Sequence, residues 1–448
     1  MEKLNHNSMI NNSPLISKLS IARTLLRISL LILSLGVPLN APAYSAPDPI
    51  EDPAESLFSL PYLEYVENEK APDKIGTTIH KKDKAYPGYI IYRQTAEGHS
   101  LYLTDPDGTI IHRWTGGRRN DPLTWKAVPR VLNNESIFLN NEQSHLAWKN
   151  PAAISPSIAL FNIPGHKSHH ASYFLQNGGF LGLTRKKLYV PFLDASLLVE
   201  DTPLVHTSPD GKIIKTILLS KLFAEDPGYQ KNLETSYQKS RESSPRASRK
   251  RAKKNPFDIF PDYNDKTKKR LFDLFHANNI ESLEWDIPGI AKKGDWFVTV
   301  RNLNRVIIVD PEKEKIIWQW GENIVDHVHH ATFLSGNRIL LFDNGIHKKS
   351  SRVIIVDMVS REIIWQYGQK PGQDFFTNLG GSAQRLPNGN TLIAETQQGR
   401  AFEVTESGEI VWEWYANFHT QGSAKGKRKV IYRIEKIPYD FFKRTTRD

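Results

Sequence analysis

The feature that most narrows the fold of this chain is a repeated hairpin. VIIVDPEKEKIIWQWG (306–321), VIIVDMVSREIIWQYG (353–368) and AFEVTESGEIVWEWY (401–415) share one pattern: alternating apolar residues, a polar turn, then two aliphatics and a tryptophan. The tryptophans stand at 318, 365 and 412, so both intervals are 47 residues. SLYLTDPDGTIIHRW (100–114) and TPLVHTSPDGKIIKTI (202–217) are further copies, with Asp-Gly turns suited to tight reversal. A different hairpin comes ahead of the late copies. HATFLSGNRILLFDNG (330–345) and SAQRLPNGNTLIAET (382–396) align residue by residue, ASYFLQNGGFLGLTR (171–185) is an earlier copy, and HANNI (276–280) with DWFVTVR (295–301) is one with a longer connection. Two hairpins per period make four strands, and a period of this length is that of a propeller blade. The chain is therefore expected to be all-β: a six-bladed β-propeller with four-stranded antiparallel blades over residues 86–440. The irregular stretch 135–163 supplies one diverged blade, and VIYRIEKIPY (430–439) closes the ring and removes free edges.

The ends and one insert stand apart from the repeat. Lys18, Arg23 and Arg27 precede an apolar run from Ile28 to Val37, and Ala41-Pro42-Ala43 follows with small residues at the spacing of a cleavage site. Residues 1–46 read as a signal peptide, too short in its apolar run for a comfortable membrane span, so no stable span is expected after cleavage. A periplasmic or secreted location follows. The chain has no cysteine, which excludes a lipid-modified cysteine and any disulfide. Residues 47–85 are an N-terminal extension and 441–448 a tail.

The net charge of +10 does not point to nucleic acid. Residues 1–46 carry +3 of it and residues 231–254 carry +7, which leaves the remainder of the chain neutral. The second segment, with QKSRESSPRASRKRAKK at its centre, has few apolar residues and is expected to be a disordered basic loop. Such a loop suits an anionic envelope polymer as a partner.

Aligning the first hairpins defines two positions per blade. An opening slot lies four residues before a recurring aliphatic: His276 before Ile280, His330 before Leu334, Ser382 before Leu386, Ala171 before Leu175. An exit slot lies ten residues after that aliphatic at Arg185, Asn344 and Thr396, and Arg301 fills it in WFVTVR. Strand start and neighbouring strand end meet in an antiparallel hairpin, so these positions are expected to converge on one mouth of the channel. His276 pairs there with Arg301, His330 with Asn344, and Arg185 with His170. Arg352, opening the third strand, is expected on the same face. His327 and His329 flank His330 with weaker alignment, and His166, His169 and His347 read as surface residues. Histidine and arginine with almost no carboxylate suit an anion, since arginine offers a planar fork of donors to sulfate or phosphate oxygens. No metal site is expected, because neither a helical His pair nor a carboxylate partner accompanies the histidines.

At these residues the chain resembles the bacterial arylsulfotransferases. The matching pieces are His276-Ala-Asn278 with Arg301 downstream, His329-His330 before Leu-x-Gly-Asn, Phe-Asp343-Asn344-Gly345 followed by Ser351-Arg352, and Gly381-Ser-Ala-Gln-Arg-Leu-Pro-Asn-Gly-Asn390. The resemblance covers roughly residues 88–439 and implies a periplasmic six-bladed propeller. Its implied reaction moves a sulfuryl group from a phenolic sulfate to a phenol through a transiently sulfated histidine. It needs no nucleotide donor and no cofactor. Carried over by position, His330 is the nucleophile and His276 the general acid/base. Asn278, Arg301 and Arg352 hold the sulfuryl oxygens, and His170, Arg185, Asn344 and His329 complete the substrate-binding wall. The chain departs from the long forms of that family in lacking a sizeable N-terminal β-domain and in carrying the basic insert.

Two other functions fit parts of this pattern. A non-catalytic propeller could bind an anionic envelope glycan at the same mouth. A quinone-dependent dehydrogenase would share the blades, but no acidic calcium-binding cluster is apparent.

Overall fold

Segments such as VIIVD bury both faces (Val306 to Val309 are at most 1% exposed), as central strands do. In the computed structural model, which describes residue 66 and residues 69–440 apart from 95–99, 116–127, 132–136, 141–144, 149–157, 162–166, 193–194, 210, 243–271 and 423, these strands assemble into six sheets. The protein is all-β, with several four-stranded antiparallel sheets. Sheet I holds Ile431–Ile437, Tyr89–Gln94, Ser100–Thr104 and Ile110–Thr115 in that order. Sheet II runs Val128–Val131, Ile137–Asn140, His145–Trp148, Ile158–Phe161. Sheet III contains Lys167–Phe174, Phe180–Phe192, Leu204–Thr207 and Ile213–Ile217, joined by Ala195–Asp201 and the short parallel strand Phe272–Asp273. Sheets IV (Ala277–Ser282, Trp296–Val300, Arg305–Asp310, Lys315–Trp320) and V (His329–Leu334, Arg338–Asp343, Arg352–Asp357, Ile363–Tyr367) are simple meanders. Sheet VI (Ser382–Arg385, Thr391–Glu395, Arg400–Val404, Ile410–Tyr415) takes Gly76–His80, from the N-terminal extension, on its outer edge. As expected for the C-terminal segment, Ile431–Ile437 pairs with Tyr89–Gln94.

Three repeating tryptophans tie sheets IV, V and VI each to the next. The indole N–H of Trp318 donates to Met358 O (3.3 Å), that of Trp365 to Glu406 O (2.9 Å), and that of Trp412 to Pro106 O (2.7 Å). Every acceptor lies in the turn between the third and fourth strands of the following sheet. Lys215 stands at the tryptophan position of sheet III, after Ile213-Ile214, and its ammonium reaches Pro311 O of sheet IV at 2.6 Å. The apolar core lies between neighbouring sheets. Leu183, Val199, Ile280 and Val298 pack at the III–IV junction and Phe297, Ile308, Leu341 and Ile354 at IV–V. Leu340, Val353, Ile393 and Phe402 fill V–VI, and Leu392, Trp412, Ile90 and Ile434 fill VI–I. Each fully buried aliphatic among these contributes roughly 1.5–3 kcal/mol.

The basic insert differs from expectation. Residues 231–242 are not a disordered loop but most of the 16-residue helix Pro227–Glu242. Tyr229, Leu233 and Tyr237 recur every four residues and form its apolar stripe. Tyr229 and Leu233 are 2% and 1% exposed. Tyr229 stacks on Phe275 at 5.4 Å between ring centroids, and Asn232 donates to Leu274 O at 3.4 Å. Averaging charge over 24 residues hid this stripe, because its apolar anchors are diluted among lysines and arginines. Residues 243–254 lie outside the described residues, as do the signal segment 1–46 and the tail 441–448. Among the described residues no helix is long and apolar enough to cross a membrane.

Candidate active site

The histidines of the first strands share an unusual backbone. His170, His276 and His330 have φ of +51°, +44° and +44°. Left-handed backbone at a non-glycine residue costs of order 1–3 kcal/mol and persists only where the surroundings impose it. Here the imposing feature is a bulge: the pairing register shifts between Gly182 and Thr184, between Ala277 and Asn279, and between His329 and Thr332. On the first strand of sheet III three residues (His169 to Ala171) lie opposite one of the partner, Leu183, a wider bulge than in sheets IV and V. That extra residue moves His170, rather than Ala171, into the slot that sequence alignment assigned. The matching corner of sheet VI is Gly381 (φ +97°), where a Cβ would meet the Phe342 ring at 2.5 Å. Only glycine fits there.

The corner of sheets III and IV forms one hydrogen-bonded cluster. His170 Nε2 lies 2.8 Å from His276 Nε2, and Arg185 Nε donates to His169 Nδ1 at 2.7 Å. Asp273 holds His276 twice, accepting from its backbone N–H (2.9 Å) and from Nδ1 (2.6 Å). Arg301, 3% exposed, is steadied by Asn302 Oδ1 at 2.8 Å, and Asn302 in turn donates to Asp273 O at 2.7 Å. The near absence of carboxylate inferred from sequence is thus corrected. Asp273 is a partner of His276, and Glu200 lies 3.4 Å from Arg185. The signal for Asp273 was its place three residues before His276 in FDLFHAN. His169, read as a surface residue, is 3% exposed and belongs to the cluster.

Sheet V adds the second half. His329, 8% exposed, has Nδ1 at 2.6 Å from Asn344 Oδ1 and 3.0 Å from His327 O. Asn344 therefore partners His329, not His330 as expected. Both amide hydrogens of Asn344 are given to Thr377 O (2.8 Å) and Gly380 O (2.9 Å). His330 Nδ1 accepts from Ala383 N–H of sheet VI at 3.3 Å. Asn278 spans sheets IV and V, donating to Val328 O (3.0 Å) and accepting from His330 N (3.4 Å), so it grips the backbone on either side of His329. Arg352 is elsewhere occupied: it donates to Asp343 (2.8 Å), Ile324 O (2.6 Å) and Gln366 (3.3 Å). Its guanidinium is the counter-charge of buried Asp343, 2% exposed, rather than a hydrogen-bond partner of the histidines.

Burial sets the protonation of the group. It pushes His170 well below the ordinary imidazole range, with His276, Arg185, His329 and Arg301 adding to the effect. His276 is lowered by burial too, against the opposing pull of Asp273. Burial and then Arg301 hold His329 down at about 3. Asp273, which burial would raise, is brought below its usual range by His276. His170, His276 and His329 are therefore neutral imidazoles beside two guanidinium cations. Nitrogens of His169, His170 and His276 lie within 4.8 Å of one another, a spacing that also attracts transition metals, but Arg185 and Arg301 favour an anion.

No curated protein matches this chain. Among solved structures it is similar to a protein of unknown function from Bacteroides caccae, at 10% identity over 78% of this chain and 98% of that one, with a TM-score of 0.44. It is also similar to apo AztD from Citrobacter koseri (9% identity, 78% and 98% covered, TM-score 0.37) and to the Dos1 propeller (9%, 78% and 77%, TM-score 0.36). A family model described as Arylsulfotransferase (ASST) matches residues 139–419, from sheet II to beyond the last strand of sheet VI and across every residue of the histidine cluster. On that match the chain belongs to the arylsulfotransferase (ASST) family.

Proposed function

We propose that the six sheets are the blades of one closed β-propeller and that the histidine cluster at its mouth transfers a sulfuryl group from an aryl sulfate to a phenol through a sulfated histidine. Closure is supported by the Trp412–Pro106 bond, which repeats between the last sheet and the first the junction made by Trp318 and Trp365. It is supported too by a cycle of neighbouring first strands. Lys167–Phe174 touches Ala277–Ser282, which touches His329–Leu334, then Ser382–Arg385, Ile431–Ile437 and Val128–Val131, and sheet II returns to Lys167–Phe174.

The observation that carries the chemistry is the left-handed backbone of His170, His276 and His330 on three successive sheets, with two arginines beside them. Strain of this kind gathers where a fold holds reactive groups in place. Neutral imidazole is the nucleophilic form, and a covalent intermediate divides one transfer into two easier steps. Attack by an imidazole nitrogen at the His329–His330 corner forms the N–S bond as the S–O bond to the aryl group breaks. Arg301 and Arg185 stabilise charge on the sulfuryl oxygens. In the second half His276 takes the proton of the acceptor phenol as its oxygen bonds to sulfur and the N–S bond breaks. The next leaving aryl oxide receives that proton. Export to the periplasm is part of this reading and rests on residues 18–43.

The test is incubation with 4-nitrophenyl sulfate, with and without phenol. Release of nitrophenol that accelerates with phenol, ping-pong kinetics, and loss of both in a His329→Asn/His330→Asn double variant are expected. Folded wild-type protein that releases no phenol from any aryl sulfate overturns the proposal.

A further inference from the structure

We infer that Asp326, His327 and His347 form a site for a divalent transition-metal ion of the zinc class, at the end of sheet V where its first strand begins. The inference is independent of the sulfuryl-transfer reading.

The three residues come from two segments. Asp326-His327 leads into His329–Leu334, and His347 lies in the connection between Arg338–Asp343 and Arg352–Asp357. Antiparallel pairing of the first two strands brings those places together. Asp326 Oδ1 accepts from His327 Nδ1 at 2.6 Å, and Oδ2 accepts from His347 Nδ1 at 2.9 Å and from the His347 backbone N–H at 2.7 Å. One donor atom from each residue lies within 4.8 Å of the other two. A tetrahedral zinc with bonds of about 2 Å spaces its donors about 3.3 Å apart, so a small side-chain rotation closes the site. The side chain of His347 is 60% exposed, which allows that rotation and lets water take the fourth position.

The sequence gave no reason to expect a metal, for want of a carboxylate beside the histidines, and Asp326 is that carboxylate. Its side chain is 18% exposed, and its ion-pair partners among the described residues are these two imidazoles. Lys348 and Lys349 follow His347 but are exposed and make no ion pair with Asp326. The histidine cluster of sheets III and IV differs, because Arg185 and Arg301 stand beside it and oppose a cation. Two imidazoles with one carboxylate suit zinc and its neighbours, whereas calcium and magnesium take oxygen ligands alone.

The surrounding backbone holds the ligands in place. His327 has φ +59°, and its N–H donates to Asn304 Oδ1 at 2.7 Å. Asp326 N donates to Asp343 Oδ1 (2.7 Å), and Asp326 O accepts from Gly345 N (3.0 Å). Gly345 has φ +59°, and a Cβ there would lie 2.0 Å from Ser350 O, so the loop that presents His347 closes only with glycine. Strained backbone and outer hydrogen bonds of this kind orient ligands before an ion arrives. Each ligating nitrogen that carries hydrogen gives it up, to the other nitrogen of its ring or to solvent. The bound ion ties loop 345–350 to the segment that opens the first strand.

The test uses untagged, full-length protein freed of metal with EDTA. Zinc is titrated in by calorimetry, bound metal is counted by elemental mass spectrometry, and the loaded protein is studied by X-ray absorption. One zinc per chain is expected, bound by two imidazoles and oxygen ligands, with a rise in Tm. His347→Ala, a change at an exposed side chain, should fold normally in EDTA, weaken that zinc by about a hundredfold and abolish the rise. Failure to bind stoichiometric zinc, or affinity unchanged in His347→Ala, overturns the inference. A shell of three imidazoles overturns it as well, since that places the ion at His169, His170 and His276. The absorption measurement on wild-type protein needs no variant to fold.

Discussion

Lys436→Met gives the sharpest test of how the last sheet is locked to the first. Lys436 and Glu403 are 0% exposed, with Nζ 2.6 Å from Oε2. Lys436 lies on Ile431–Ile437 of sheet I and Glu403 on Arg400–Val404 of sheet VI. Its ammonium also sits 4.6 Å from the centroid of the Trp412 ring, the residue that bonds Pro106. Glu403 Oε1 accepts from Tyr86 N (2.7 Å) and Asn390 Nδ2 (2.5 Å), so removing the lysine strips its other oxygen and leaves a buried carboxylate without a counter-charge. Breaking one side of a buried pair costs about 3–5 kcal/mol, whereas removing both charges is often neutral. Met fills nearly the same volume, so little of the loss is cavity. Lys436→Met should therefore lose about 4 kcal/mol, and Glu403→Gln/Lys436→Met should regain most of it. Burial lowers the Lys436 pKa despite Glu403. Between the folded value and the ordinary 10.5 the unfolded chain binds more protons, so wild-type stability rises with pH there. The methionine variant should lack that rise. Urea unfolding followed by tryptophan fluorescence, across pH 7 to 10.5, reads both effects. A single variant within about 1 kcal/mol of wild type, or a double variant as unstable as the single, would refute the reasoning.

Four further outcomes are expected. Asp273→Asn should lower kcat by roughly two to four powers of ten with KM little changed, and shift the acid limb of the pH–rate profile downward, because the carboxylate raises the His276 pKa. Arg352→Met should cost about 3 kcal/mol by stranding Asp343, while turnover per folded molecule stays near wild type, which a sulfuryl-holding arginine would not allow. Leu233→Ala should cost about 2–4 kcal/mol in urea unfolding, and deletion of 231–254 should lower Tm clearly, since this segment is part of a packed helix. Stability should fall as pH drops from 6.5 towards about 3, because the unfolded chain protonates its histidines while His329 stays neutral. Each such histidine contributes up to about 1.4 kcal/mol per pH unit, measurable by urea titration at stepped pH.

Much of this protein was legible before any coordinates. A 47-residue period of paired hairpins specifies four-stranded sheets because side-chain alternation and turn residues act locally. The pairing of 430–439 with the first strand was legible for the same reason: an orphan strand needs a partner. His276, Arg301, His170 and Arg185 were found because equivalent slots of a repeat meet at one end of their sheets.

What the sequence could not determine lies in the second partner of each group. The bulge width that moves His170 into its slot depends on backbone register against the neighbouring strand. Arg352 and Arg301 look alike in a repeat alignment, yet one faces Asp343 and the other the histidines. Asn344 could have partnered His329 or His330; only the carbonyls of Thr377 and Gly380 decide, by occupying its amide hydrogens. By itself the sequence determined which strand ends gather at one end of their sheets, since strand and turn periodicities are local. Tertiary structure alone decided which proton each imidazole carries, because a tautomer is set by hydrogen-bond partners brought together from distant parts of the chain.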